Sequence, residues 1–155
     1  MKTADPIDPV VRPRVLSHGT LEVYDLSATR RFYEEFLGLE VARHSSGAMV
    51  TRCGPSSHVV CIQSGDKLHP VTVMNHWGLD VESREAVDAA HAAALAHKDR
   101  YGIRNVRGTQ FQHGVYSFYL EDLDHNWWEI QYYEGDETED MFDFGDRFAP
   151  DGTPL

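Results

Sequence analysis

Short stretches of alternating apolar and polar residues, each set interrupted once by a helical pattern, run along this chain in an order that occurs twice. Val15 to Tyr24 alternates as a strand does. In the following DLSATRRFYEEFLGLEV, Asp25 or Ser27 can cap a helix. Its apolar stripe is Phe32, Tyr33, Phe36 and Leu37. Gly38, tolerant of positive φ, stops it. Short strands are predicted around Glu40 to His44, Ala48 to Arg52 and His58 to Gln63. The second pass opens with a strand over Val71 to Val81, and Ser83 caps an alanine-rich helix from about Arg84 to His97. Strands follow near Val106 to Gln112, Tyr116 to Glu121 and Trp127 to Tyr133.

The order is strand, helix, three strands, twice over, which predicts an α+β fold of two βαβββ modules. The passes also match in sequence. HGTLEV (His18 to Val23) aligns with HWGLDV (His76 to Val81), and HVVCIQS (His58 to Ser64) aligns more loosely with NWWEIQY (Asn126 to Tyr132). Such a repeat implies equivalent units that bury a face against each other, with their seam a natural place for a pocket. We divide the chain into an extended arm over 1–13 (Pro6, Pro9, Pro13), module one over 14–68, module two over 69–133, and a tail over 134–155. In the tail Met141, Phe142, Phe144 and Phe148 are expected to pin a short helix or extended segment.

An apolar fraction of 41% with 11% aromatics can supply a core for 155 residues. The formal net charge of -11 argues against nucleic acid and anionic membranes as partners. Glu134, Asp136, Glu137, Glu139, Asp140, Asp143 and Asp146 crowd one end and read as a solvated acidic tail. Two cysteines, Cys53 and Cys61, form neither a zinc knuckle nor a disulfide framework. With no bilayer-length apolar run and no signal-peptide core, a cytoplasmic location is the expectation.

Nine histidines are many for this length. A lone strand histidine is ordinarily a packing residue, but His18 and His76 hold equivalent repeat positions. Glu129 lies in the apolar run Trp127, Trp128, Glu129, Ile130, where a carboxylate is costly unless a cation or strong donors satisfy it. Two imidazoles and one carboxylate make a facial set for one divalent metal, suiting Fe(II) or Mn(II) before Zn(II).

HGTLEVYDLSATRRFYEEFLGLEV resembles the opening of vicinal oxygen chelate proteins (the glyoxalase, bleomycin-resistance and extradiol dioxygenase superfamily), with Phe32, Tyr33 and Leu37-Gly38-Leu39 in the helix motif. FYLEDLDHNWWEI resembles the family's closing "FYxxDPxGNxxEL", whose Glu is a ligand; His125 and Leu123 depart from its Gly and Pro. The resemblance covers roughly 14–133 and implies modules forming a cupped mixed sheet around a metal site, with His18, His76 and Glu129 as ligands. A four-ligand, glyoxalase-type site is not supported, because Cys61 aligns with Glu129 and Gln63 is out of register. Three ligands resemble the extradiol ring-cleaving dioxygenases. That likeness makes Tyr119, ten residues before Glu129, a hydrogen-bonding residue for the substrate, and His113 a candidate proton carrier.

The function so implied is Fe(II)-dependent cleavage, with dioxygen, of a catechol-like aromatic substrate carrying vicinal oxygens. A metal-dependent isomerase, epimerase, lyase or thiol transferase is the second reading; against the last, no cluster of Lys and Arg stands near the ligands to take a phosphonate, Arg104 and Arg107 being the nearest in sequence. A metal-free drug-binding resistance protein is the third. The resemblance also implies a homodimer.

Overall fold

The computed structural model describes residues 9–155. The expected arm over 1–13 therefore falls mostly outside the described residues; 9–13 form neither helix nor strand. Contacts divide the chain into two compact units, Met1–Asp66 and Lys67–Leu155. Each contains one βαβββ pass.

The first unit holds β1 (His18–Val23), α1 (Leu26–Glu35), β2 (Val41–Ala42), β3 (Ala48–Arg52) and β4 (His58–Gln63). Its sheet order is β1-β4-β3-β2, with β1 and β4 parallel and the other pairs antiparallel. Asp25 caps α1, accepting from the Ala28 amide at 2.8 Å. Alternation sends Leu21, Val23, Met49, Val59 and Cys61 to one buried face, on the side where α1 buries Leu26, Thr29, Phe32 and Tyr33. Phe36 and Leu37 are only half-buried, because the helix ends at Glu35 before the predicted stripe does.

The second unit holds β5 (His76–Asp80), α2 (Arg84–Ala96), α3 (Lys98–Tyr101), β6 (Asn105–Val106), β7 (Gln110–Gln112), β8 (Val115–Glu121), β9 (Trp127–Tyr132) and α4 (Glu137–Phe144). The sheet runs β5-β9-β8-β6, with β7 also on β8 and only β5–β9 parallel. Ser83 caps α2 at the Ala86 amide. Val87 and Ala94 of α2 are buried on the side of the sheet that carries Phe118, Leu120, Trp128 and Ile130. His91 meets the Phe118 ring edge-on at 5.1 Å. Among the described residues no helix is long and apolar enough to cross a membrane.

Three differences from the sequence expectation have local causes. The strand expected from Val71 begins only at His76, because Thr72 and Asn75 close a turn and the Val73 carbonyl is taken by the His76 ring. The strand expected over 106–112 is two pieces, interrupted around Gly108. The tail is not pinned by its aromatics: Phe142 is 83% exposed and Met141, Phe144 and Phe148 are also exposed. Two of its acids hold it instead. Glu137 accepts from the Gln131 amide at 2.7 Å, and Asp140 accepts from the Tyr133 hydroxyl at 2.7 Å.

The β8–β9 turn explains the unusual His125. Its φ is 63°, the left-handed region that favours glycine. His125 holds that conformation with Nδ1 on the Glu121 carboxylate at 2.7 Å and its amide on the Asp122 carbonyl. Asp122 is buried at the centre of the turn and accepts from the Asp124 and Asn126 amides and from the Trp128 indole. Burial and the Asp124 carboxyl push Asp122 up to about 7 against the pull of those donors.

Candidate functional site

The face of the second sheet opposite α2 is polar, as strand register requires. Gly78 pairs with Glu129 and Tyr119 pairs with Glu129, so the 76/78, 127/129/131 and 117/119/121 positions share one face. His76, Glu129, Tyr119 and Ser117 meet there. His76 Nε2 lies 3.3 Å from Glu129 Oε2. Ser117 Oγ donates to Glu129 Oε1 at 2.6 Å. The Tyr119 ring lies edge-on to the His76 ring at 5.0 Å. Burial pushes the Tyr119 hydroxyl up to about 12, reinforced by the Glu129 carboxylate, with the Arg107 guanidinium pulling the other way. Tyr119 is thus a neutral donor at physiological pH.

The protonation pattern of His76 tests whether a cation fits. Its Nδ1 is 2.6 Å from the Val73 carbonyl oxygen. A carbonyl only accepts, so Nδ1 carries the ring proton. Nε2 then faces a Glu129 carboxylate oxygen, a contact that a ring proton or a shared cation would each satisfy. Their 3.3 Å separation suits neighbouring ligands of one ion with bonds of about 2.1 Å. Glu129 is only 12% exposed at its side chain, and its other oxygen is already fixed by Ser117. An imidazole nitrogen and a carboxylate oxygen are donor types that a divalent metal takes.

The structure brings Tyr119 together with His76 and Glu129. His18 belongs to the first unit, on the sheet face of Thr20 and Val60. It stacks on His58 at 5.5 Å between centroids, and its Nδ1 is 2.9 Å from the Ser17 hydroxyl. Among the described residues no group of three or more His, Cys, Asp or Glu side chains is placed to hold a metal ion. His113 is not in the cluster. It occupies the β7–β8 turn at φ 53° and lines a cavity with Tyr133, Met141, Phe144 and Phe148. The alignment of Cys61 with Glu129 is also corrected. Val60 pairs with Thr20 as Glu129 pairs with Gly78, so Val60 is the counterpart, and Cys61 points to the buried α1 side.

Ser117 escaped the sequence reading. Its signal was its place two residues before Tyr119, which alternation puts on the same face. A carboxylate left without its hydroxyl donor loses orientation. Ser117→Ala is expected to weaken Fe(II) binding about 10- to 100-fold while leaving the far-ultraviolet circular dichroism unchanged, as an anaerobic metal titration would read. Unchanged affinity would remove Ser117 from the site.

The paired βαβββ topology and this polar face define a class of protein in which comparison with known chains is informative. The family model for the Glyoxalase/Bleomycin resistance protein/Dioxygenase superfamily matches residues 15–130, and the chain belongs to that superfamily. Solved structures share the fold. A genomically encoded fosfomycin resistance protein, FosX, from Listeria monocytogenes is 24% identical with a TM-score of 0.62, covering 83% of this chain and 98% of that one. A glyoxalase/bleomycin resistance protein from Albidiferax ferrireducens is 22% identical with a TM-score of 0.61, covering 77% of this chain and 98% of that one. A possible glyoxalase from Bacillus cereus is 24% identical with a TM-score of 0.59, covering 76% of this chain and 98% of that one. No curated protein sequence matches the chain.

Proposed function

We propose that the chain is a metal-dependent enzyme that cleaves a catechol-like substrate with dioxygen, using one divalent ion, Fe(II) before Mn(II) or Zn(II). The observation that carries this reading is His76 Nε2 lying 3.3 Å from the Glu129 carboxylate, with the Tyr119 ring against the imidazole. The third ligand is His18, which holds the place of His76 in the first repeat. A two-histidine, one-carboxylate set leaves positions for a bidentate substrate and for dioxygen. When bound, Fe(II) lowers the phenolic pKa and brings both reactants together.

The chain's own groups have distinct tasks. Val73 fixes the His76 tautomer through its carbonyl, and Ser117 fixes Glu129. Tyr119, held neutral, donates a hydrogen bond to a substrate oxygen as negative charge grows on it. Trp127, on the same face and buried, supplies an aromatic wall. His113 has no part in this site, since its turn lines a different cavity.

The test is oxygen consumption by anaerobically Fe(II)-reconstituted protein mixed with catechol. One dioxygen consumed per catechol, with a yellow ring-opened product, is the expected result. Stoichiometric Fe(II) with no oxygen uptake on catechol or its carboxylated derivatives would overturn the dioxygenase reading and favour a metal-dependent isomerase, lyase or transferase. Failure to bind any divalent metal would overturn the enzyme reading and favour a drug-binding protein.

A further inference from the structure

Arg107 stands out on the same face as the proposed metal ligands. Its amide donates to the Tyr119 carbonyl at 2.8 Å, extending the β6–β8 ladder by one position and making Arg107 the cross-strand neighbour of Tyr119. Its guanidinium carbon lies over the Trp127 ring, 5.1 Å from the centroid. Trp127 is buried and shares the face of Glu129, so it is a fixed platform. Among the described residues no carboxylate pairs with Arg107. Glu121, the acid next along that face, is taken by His125 Nδ1 at 2.7 Å.

A chain with 25 acidic residues against 14 Lys and Arg has ample carboxylate to neutralise a surface arginine. One left without an acid, seated on a buried tryptophan beside the reacting face, is a cation available to a ligand. Arg107 is two strands from Glu129, about 10 Å at the usual strand spacing. Tyr119 stands on the strand between them, and the guanidinium reaches past that strand to Trp127 on the Glu129 strand.

We infer that Arg107, carried on Trp127, is a specificity residue that binds a carboxylate on the far side of the substrate ring from its vicinal oxygens. The inference rests on the proposed reading of the His76–Glu129 site for the position of the ring. The substrate class is then an aromatic vicinal diol with an anionic substituent, not a neutral catechol. Trp127 is the positioning residue that holds the guanidinium over the face.

Two probes of one shape isolate the charge: 3,4-dihydroxybenzoate and its neutral amide, titrated calorimetrically and anaerobically into the Fe(II)-loaded full chain. A charge-assisted contact predicts that the benzoate binds about 10- to 100-fold tighter than the amide. Arg107→Gln abolishes that preference without changing amide affinity, and Arg107→Lys restores part of it. Equal binding of the two probes to the unsubstituted protein, or a preference unchanged in Arg107→Gln, overturns the inference. If neither probe binds the loaded protein, the metal reading fails separately and metal-free protein decides the anion site. Benzoate should then shift the Arg107 side-chain Nε resonance saturably, assigned by its loss in Arg107→Gln, and no shift overturns the inference.

Discussion

Glu129→Ala is expected to lower Fe(II) affinity about 100- to 1000-fold and to abolish oxygen uptake at micromolar metal, with little change in thermal stability. The magnitude follows from four-ligand structural zinc sites, whose binding is worth roughly 10–16 kcal/mol, so that one ligand carries about 2.5–4 kcal/mol. The small stability change follows from the local geometry. Glu129 faces the imidazole of His76 at 3.3 Å and the hydroxyl of Ser117 at 2.6 Å on the polar face of the sheet, so removing the carboxylate loses these contacts without opening a cavity in the apolar core. Glu129→Gln separates charge from shape. It keeps an acceptor for Ser117 but is a poor ligand, so it should resemble alanine in metal titration. Either variant binding Fe(II) as the unsubstituted chain does would refute the assignment of Glu129.

Trp128→Ala should have the opposite profile, a large loss of stability. Trp128 is fully buried near the start of β9, facing α2, and its indole donates to Asp122 at 3.0 Å. A tryptophan truncated to alanine in a core costs about 3–5 kcal/mol. The turn's central carboxyl also loses one of its donors, which adds to that cost. Against a total stability of about 5–15 kcal/mol, this leaves a marginal domain. The expected fall in melting temperature is roughly 10–20 °C. Trp127→Ala is the internal control. Trp127 lies on the opposite face from Trp128, under Arg107, so its truncation should cost less stability while removing the guanidinium's platform. Equal destabilisation by the two changes would mean that the alternation assigned to β9 is wrong.

The contrast between Trp127 and Trp128 shows what was legible before the structure. The stretch Trp127 to Tyr133 was legible as a strand, and β9 spans Trp127–Tyr132; that Glu129 and Trp128 take opposite faces comes from its pairing with β8. The caps at Asp25 and Ser83 were legible because a side-chain oxygen three residues before an amide is a local signal. Register between strands is not local. The one-residue offset that makes Val60, not Cys61, the counterpart of Glu129 arises from β1–β4 pairing His18 with His58 while β5–β9 pairs His76 with Trp127. No periodicity within one strand encodes that offset. Ser117 was missed for the same reason, since its bond to Glu129 crosses strands twelve residues apart. His113 was named from the family likeness, and the β7–β8 turn, where it takes left-handed φ, sets it beside another cavity. The tail illustrates composition misleading in a different way. Its acids looked solvated and its aromatics looked buried, yet Glu137 and Asp140 make the contacts while Phe142 faces water.

The claim on which the account depends is that two histidines and one glutamate hold a single divalent ion. Iron-edge X-ray absorption on the anaerobically Fe(II)-loaded chain counts imidazoles directly. Two imidazole scatterers, falling to one in His18→Ala and to one in His76→Ala, are the predicted result. A single imidazole in the unsubstituted protein, or a count unchanged by either substitution, would contradict it.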